Sequence, residues 1–490
     1  MNGSVLPLLV AAPLLAAGLC VAVPDRRLHR AAGMAVNAGV LLAGGLLLAA
    51  GSAGAVVTQR VGEWPPGIAI VFASDAFSAL LLSVSALLML AGLALARVTG
   101  EDAHPLFTPL ALALSAGVYG ALLTADLFDL FVFVEVMLVP SYALLTASGE
   151  RGRITAGRIY VTVSLLASTL FLAGAGFMYG VTGTVNLGEL GGTARYSPAA
   201  ALAGGIVLLA MAAKAAVVPL HGWLPRTYPD ASPAVAVIFS GLLTKVGLYV
   251  IIRVYAVVFG GMDHYRWVIM TAALLTMVIG VLGAVGEQSM RGILSFHMVS
   301  QIGYILLGLA LFTLPGLTAA IFYMVQYILV KAALLACAGG VETTYGTGRL
   351  DRLDELARRN PLPAGVFMVA ALSLAGLPPL SGFVAKLSLI RAAADRSDHV
   401  AVAVATAVSL FTLLSMIKIW AGAYWGEIAS GTRSGGHRHA RIRWTLTAPA
   451  LLLAAPSVAL GIWAQPLLHV AGTAAKGLTD TSAYVRAVTR

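Results

Sequence analysis

Apolar runs recur from one end of this chain to the other, each about 20 residues long and so able to cross a bilayer as a helix. We place their cores at 4–23, 31–52, 68–96, 105–124, 127–147, 157–181, 198–218, 233–258, 266–285, 291–313, 316–341, 362–394, 400–425 and 445–471. The pattern predicts an all-α integral membrane protein with about fourteen transmembrane helices. The gaps are short, so the chain reads as one polytopic domain, 1–490. Only 11% of its residues are charged and 59% are hydrophobic, where a soluble domain carries about 25% charged residues. The first run, Leu6 to Val23, has no basic leader and no obvious small-residue cleavage site. It reads as a first span and not as a removed signal peptide.

The net charge of +10 does not point to nucleic acid, because the basic residues sit in short loops between apolar runs, the pattern of membrane topology. An even number of spans puts both termini on one side. With the termini outside, seventeen arginines fall on the inner side, and eight arginines with Lys476 on the outer. The expected location is the bacterial inner membrane, with the basic loop 427–443 as a topology anchor. Cys20 and Cys337 both lie in apolar runs, with neither metal spacing nor a disulfide framework.

The most informative pattern is the use of lysine. The chain has 25 arginines and six lysines, and five of the six, Lys214, Lys245, Lys331, Lys386 and Lys418, fall inside apolar spans. Arginine stays protonated, whereas an amine taken out of water can give up its proton because desolvation disfavours the charged form. Each charge at the centre of a span costs on the order of 3 kcal/mol, a cost that a proton-loading role explains. Lys418, near the inner end of its span, and Lys331 also fit lysines that lift their amines to the interface. Glu135, in DLFDLFVFVEVMLVPSYALL, is the matching buried acid. We expect it to pair with Lys214, forming a switch that opens to weaken the lysine's hold on its proton.

Two of these lysines adjoin helix breakers. Lys214 lies in MAAKAAVVPLHGWLPRTYPDASP, where Pro219 removes a backbone donor and Pro225, Pro229 and Pro233 prolong the interruption. Free carbonyls at such a break favour a nearby ammonium. Lys386 follows Gly376, Pro378, Pro379 and Gly382 in ALSLAGLPPLSGFVAKLSLI. These are the seventh and twelfth spans. An odd offset of five implies two inverted five-helix repeats, 105–258 and 266–425, with broken helices at mid-membrane. Lys245 and Lys418 repeat the same offset.

His297, in RGILSFHMVSQIGYILLGL, is a candidate relay or a hydrogen-bonded structural residue. His221 could connect Lys214 to the inner solution, and Tyr323, Gln326 and Tyr327 precede Lys331 on one helix and could order water beside it, with Tyr327 and Lys418 as further candidate relays. Asp75, Asp126 and Asp129 read as helix-start or interface residues, the last two with a candidate role at the mouth of the path. No phosphate loop, Cys-x-x-Cys, HExxH or haem-type histidine pair is present, so no catalytic, cofactor or metal site is expected.

The segments FVFVEVMLVPSYALL, MAAKAAVVPLHGWLPRTYPDASP, SGLLTKVGLY, SFHMVSQIGYILLG and LAGLPPLSGFVAKL together resemble the proton-conducting antiporter-like subunits shared by Mrp-type Na+/H+ antiporters, respiratory complex I and membrane-bound hydrogenases. The likeness runs from about the third to the thirteenth span. VGEWPPGIAIVFASD, the length and a lysine at 386 in place of glutamate favour the MrpD-type branch. The resemblance implies a central hydrophilic axis through Glu135 and the matching lysines, two inverted five-helix repeats, and partnership with other subunits of a hetero-oligomeric membrane antiporter. Protons and a monovalent cation, Na+, would be its cargo. Family members often carry histidine four residues before the lysine of span 11, and here that residue is Tyr327. Two readings compete with an antiporter subunit. One is a pumping subunit of an NADH-quinone oxidoreductase or membrane-bound hydrogenase, which would require flavin or iron–sulfur partners. The other is a structural subunit that conducts nothing.

Overall fold

The computed structural model describes residues 3–64, 69–425 and 440–490. Most of the expected anchor loop, including Arg433 and Arg438, lies outside the described residues, as do residues 65–68 of VGEWPPGIAIVFASD.

The apolar runs form helices α1 Val5–Ala22, α2 Arg26–Ser52, α3 Ala76–Thr99, α4 Phe107–Leu123, α5 Leu127–Thr146 and α6 Arg151–Thr182. A broken span follows, α7a Pro198–Lys214 and α7b Trp223–Thr227. Then come α8 Pro233–Val257, α9 Arg266–Gly286, α10 Met290–Leu311 and α11 Leu314–Tyr345. A second broken span, α12a Pro361–Ala375 and α12b Ser381–Asp395, precedes α13 His399–Ile419, α14 Trp444–Ile462, α15 Gln465–Thr479 and α16 Ser482–Thr489. Among the described residues eleven helices are long and apolar enough to cross a membrane, and α4, α7a and α12a are shorter apolar helices. Asp75 caps α3 in a reciprocal box with Ser78, and Asp126 caps α5 through two backbone amides, which fits their expected place at helix starts.

The seventh and twelfth spans are interrupted as their composition predicts. The peptide bonds before Pro219 and Pro379 are cis, and Ala216 and Gly376 take left-handed backbone conformations at the two breaks. Each first half ends with carbonyls that have no partner in the helix.

Hydropathy alone does not say which helices are central, because apolar residues suit both lipid and protein neighbours. The windows of α8 and α11 are buried along their whole length and that of α10 nearly so, whereas α1, α2, α6, α9, α13 and α14 turn one side outward. Large apolar side chains such as Leu15, Leu42, Leu166 and Leu410 cover that outer surface, as a lipid environment requires.

Three features depart from the sequence expectation. Val57–Arg60 and Val71–Ser74 form an antiparallel ribbon, β1 and β2, with Val57 opposite Ser74. The last apolar core, expected to reach 471, stops at Ile462. Pro466 then opens α15, whose Leu467, Ala471, Ala474, Ala475 and Leu478 make a single buried stripe against the bundle. Finally, Arg253 and Arg291, counted as loop residues, are buried inside α8 and α10 at 2% and 5% exposure.

Candidate functional site

Three amines are sealed in the middle of the bundle. Lys331 is fully buried on α11, Lys245 is 3% exposed on α8, and Lys386 is 4% exposed on α12b. Burial of this depth removes interfacial lifting as an account of Lys331. Each amine donates to backbone carbonyls: Lys245 Nζ to Ser240 O at 2.5 Å, Lys331 Nζ to Leu294 O at 2.9 Å, and Lys386 Nζ to Ala375 O at 3.0 Å. Lys245 also donates to Thr244 Oγ1 at 3.1 Å. Ala375 is the last residue of α12a, so the carbonyl freed by the break holds the amine of the other half.

Tyrosines fill the space between the amines. The Tyr327 ring lies 4.2 Å from Lys245 Nζ and 5.9 Å from Lys331 Nζ. It stacks on Tyr323 at 6.3 Å, which stacks on Tyr304 at 5.3 Å, and Tyr304 lies 5.0 Å from Lys386 Nζ. An ammonium over a ring face is attracted by the ring's quadrupole, so these faces suit a cation without fixing it there. The Tyr327 hydroxyl is buried with no hydrogen-bond partner among the described residues. Tyr304 donates to Ala405 O at 2.6 Å, and Tyr323 donates to Gln301 Oε1. His297 Nε2 is 2.5 Å from Ser415 Oγ, while its Nδ1 has no partner among the described residues.

Glu135 and Lys214 are both half-buried, and Glu135 Oε1 has no hydrogen-bond partner among the described residues. The expected Glu135–Lys214 ion pair is not closed: no such pair is present among the described residues. Lys214 ends α7a, where the helix dipole favours a cation. Gly247, two residues beyond Lys245, packs against Ala215 at that break. His221 lies within the interruption, half-buried, with Nδ1 unpartnered among the described residues. Lys418 stands apart from the tyrosine row. Its amine donates to Val285 O at 2.8 Å and Glu287 O at 2.6 Å, closing the C-terminal end of α9.

Arginine and lysine are thus handled differently inside the bundle. In every ion pair among the described residues the cation is arginine. Arg253 makes two 2.7 Å bonds to Asp75, beneath the rings of Phe77, Tyr249 and Tyr484. Arg291 pairs with Glu342. The sequence reading missed these buried arginine pairs, and also the hydroxyl cluster of Ser373, Ser381 and Ser457 that ties α12a, α12b and α14 together. The buried place of Arg253 was legible in the unbroken apolar run on both sides of it. The serine cluster left no such signal.

The family model described as NADH:quinone oxidoreductase/Mrp antiporter, TM, matches residues 124–412, which contain every intramembrane lysine but Lys418. The chain is 36% identical over 441 residues to the D subunit of the Na(+)/H(+) antiporter of Alkalihalophilus pseudofirmus, covering 88% of each protein. A chain of the Mrp complex from Dietzia sp. DQ12-45-1b superposes with a TM-score of 0.96 at 47% identity, covering 100% of this chain and 99% of that one. A chain of respiratory complex I from Thermus thermophilus superposes with a TM-score of 0.82 at 24% identity, covering 97% and 99%, a likeness of fold.

Proposed function

The chain belongs to the NADH:quinone oxidoreductase/Mrp antiporter membrane family, and from that premise we propose that it is the proton-conducting subunit of a multisubunit antiporter exchanging H+ for a monovalent cation, Na+. It works as a transporter subunit and not as an enzyme, beside the other membrane subunits of that complex, in the bacterial inner membrane with both termini outside.

One observation carries the reading. Among the described residues Lys245, Lys331 and Lys386 rest on carbonyls, one hydroxyl and ring faces, and none is paired with a carboxylate. A carbonyl accepts a hydrogen bond from a neutral amine as readily in kind as from an ammonium, so loss of the proton strands no anion. A carboxylate partner would lock the charge on, as Asp75 does for Arg253. The row can therefore load and unload protons without rebuilding its surroundings.

In this scheme protons pass along Lys214, Lys245, Lys331 and Lys386, with Tyr327, His297 and His221 as relays. Glu135 acts as the gate: closed on Lys214 it holds the proton, and withdrawn it lets the proton move toward Lys245. Lys418 serves as a helix cap. The repeats 105–258 and 266–425 would give the axis two inverted halves around Pro219 and around Pro378 and Pro379. The identities above favour an antiporter over a redox-driven pump.

The test has two parts. Purification from native membrane at natural expression should bring down further membrane antiporter subunits, with no flavin or iron–sulfur absorbance. Replacement of Glu135 by Gln should abolish sodium-driven proton flux in vesicles of the assembled complex. Copurified redox subunits, or undiminished flux in the Gln variant, would reject the proposal.

A further inference from the structure

A cavity of about 830 Å³ opens where the first turns of α2 and α14 meet the last turn of α3. Its walls differ with depth. At the helix ends, which form its mouth, stand Arg30, Arg97 and Trp444, and one to two turns further along the helices Met34, Leu93 and Leu452 make an apolar slot. Arg97 is exposed and has no acceptor among the described residues. Arg30 turns only its Nε to Asp102, at 2.5 Å, and its side chain keeps 39% exposure while the carboxylate is 7% exposed. The mouth is thus cationic, since its only acid among the described residues is spent on Arg30. Trp444 is 57% exposed, a large amphipathic ring at the level where membrane proteins anchor to headgroups. From Trp444 to Leu452 along α14 the slot runs about 12 Å, parallel to the helices.

We propose that this groove is a binding site for an anionic glycerophospholipid, its phosphate held by Arg97 and Arg30 and one acyl chain lying in the apolar slot. A basic pocket between helices at headgroup depth recognises this ligand class by charge at the top and by apolar area below. A zwitterionic lipid also offers a phosphate, but it brings its own ammonium to a mouth where two guanidinium groups face one carboxylate, so an anionic headgroup is preferred. A peptide from another subunit would have to bring both an acidic residue at the mouth and an apolar tail, so it is the competing occupant that the experiment separates. The site does not touch the lysine row and stands independently of the proton pathway.

Trp444 supplies the probe. The assembled complex is reconstituted into vesicles containing dibrominated phosphatidylglycerol or dibrominated phosphatidylcholine, and tryptophan emission is read. The Trp444→Phe variant isolates the signal of this residue from the chain's other tryptophans. The proposal predicts stronger quenching of Trp444 by phosphatidylglycerol, saturating at a low fraction of that lipid. Arg97→Gln should weaken the preference about fivefold, and Ala448→Phe, which fills the slot from the α14 wall, should lower quenching in both lipids. Equal quenching by the two lipids, or a preference unmoved by Arg97→Gln, overturns it. A Trp444 that neither lipid quenches also overturns it, and would mean that a protein neighbour occupies the groove.

Discussion

Lys245 and Arg253 share one helix, two turns apart, and the protein holds them in opposite ways. Arg253 is locked to Asp75 by two hydrogen bonds, while Lys245 meets only a carbonyl, a hydroxyl and a ring. A buried ion pair that loses one partner leaves an uncompensated charge, so Asp75→Asn should cost about 3–5 kcal/mol. Thermal unfolding of the purified complex checks this, and adding Arg253→Met to Asp75→Asn should restore much of the loss. Tyr327 allows a finer test. Phenylalanine keeps the ring against both amines but removes the unpartnered hydroxyl. With that hydroxyl as a relay, Tyr327→Phe lowers flux by about tenfold or more and Tyr327→His retains most of it; undiminished flux in the phenylalanine variant would remove Tyr327 from the path. The lysine positions were legible in the sequence because a charge in an apolar run stands out. Their partners were not, because carbonyls belong to every residue. The Glu135–Lys214 contact was expected from charge alone, yet the structure leaves it open, since sequence spacing does not fix the separation of side chains on different helices.

The two broken spans show how an element can be readable while its consequence is not. Pro219 and the Gly376–Pro379 segment announce the breaks, and the helices end there. Only the structure reveals that α12a offers its terminal carbonyl to Lys386 across the break. Gly382 makes that approach feasible, because a Cβ there would collide with the carbonyl oxygen of Ser373. Gly382→Ala should therefore destabilise the complex by about 1–3 kcal/mol. Gly365→Ala, on the same span but facing open space, should stay within about 0.5 kcal/mol. Comparison of their melting curves decides the point. The β1–β2 ribbon and the separate α15 were harder to read. The ribbon is short, and α15 carries Leu467, Leu468 and Val470 soon after its first residues, which continue the composition of the span before it.

At the scale of the whole molecule, α8, α10 and α11 form a sealed centre, and α16 closes one end of it by laying Tyr484 over Arg253 at 4.6 Å. Deletion of residues 482–490 should uncover the Asp75–Arg253 pair and weaken it by about 2 kcal/mol, seen as a lower unfolding temperature with the lysine row still in place. The central claim is that the interior amines work because each can be neutral in one state and charged in another. Arginine keeps the charge and gives up the neutral state. The most direct measurement is sodium-driven proton flux in vesicles of the complex carrying Lys245→Arg or Lys331→Arg, with assembly verified by the subunits that copurify. Flux abolished in a fully assembled complex is the predicted result; flux that survives a permanently charged residue at either position would contradict it.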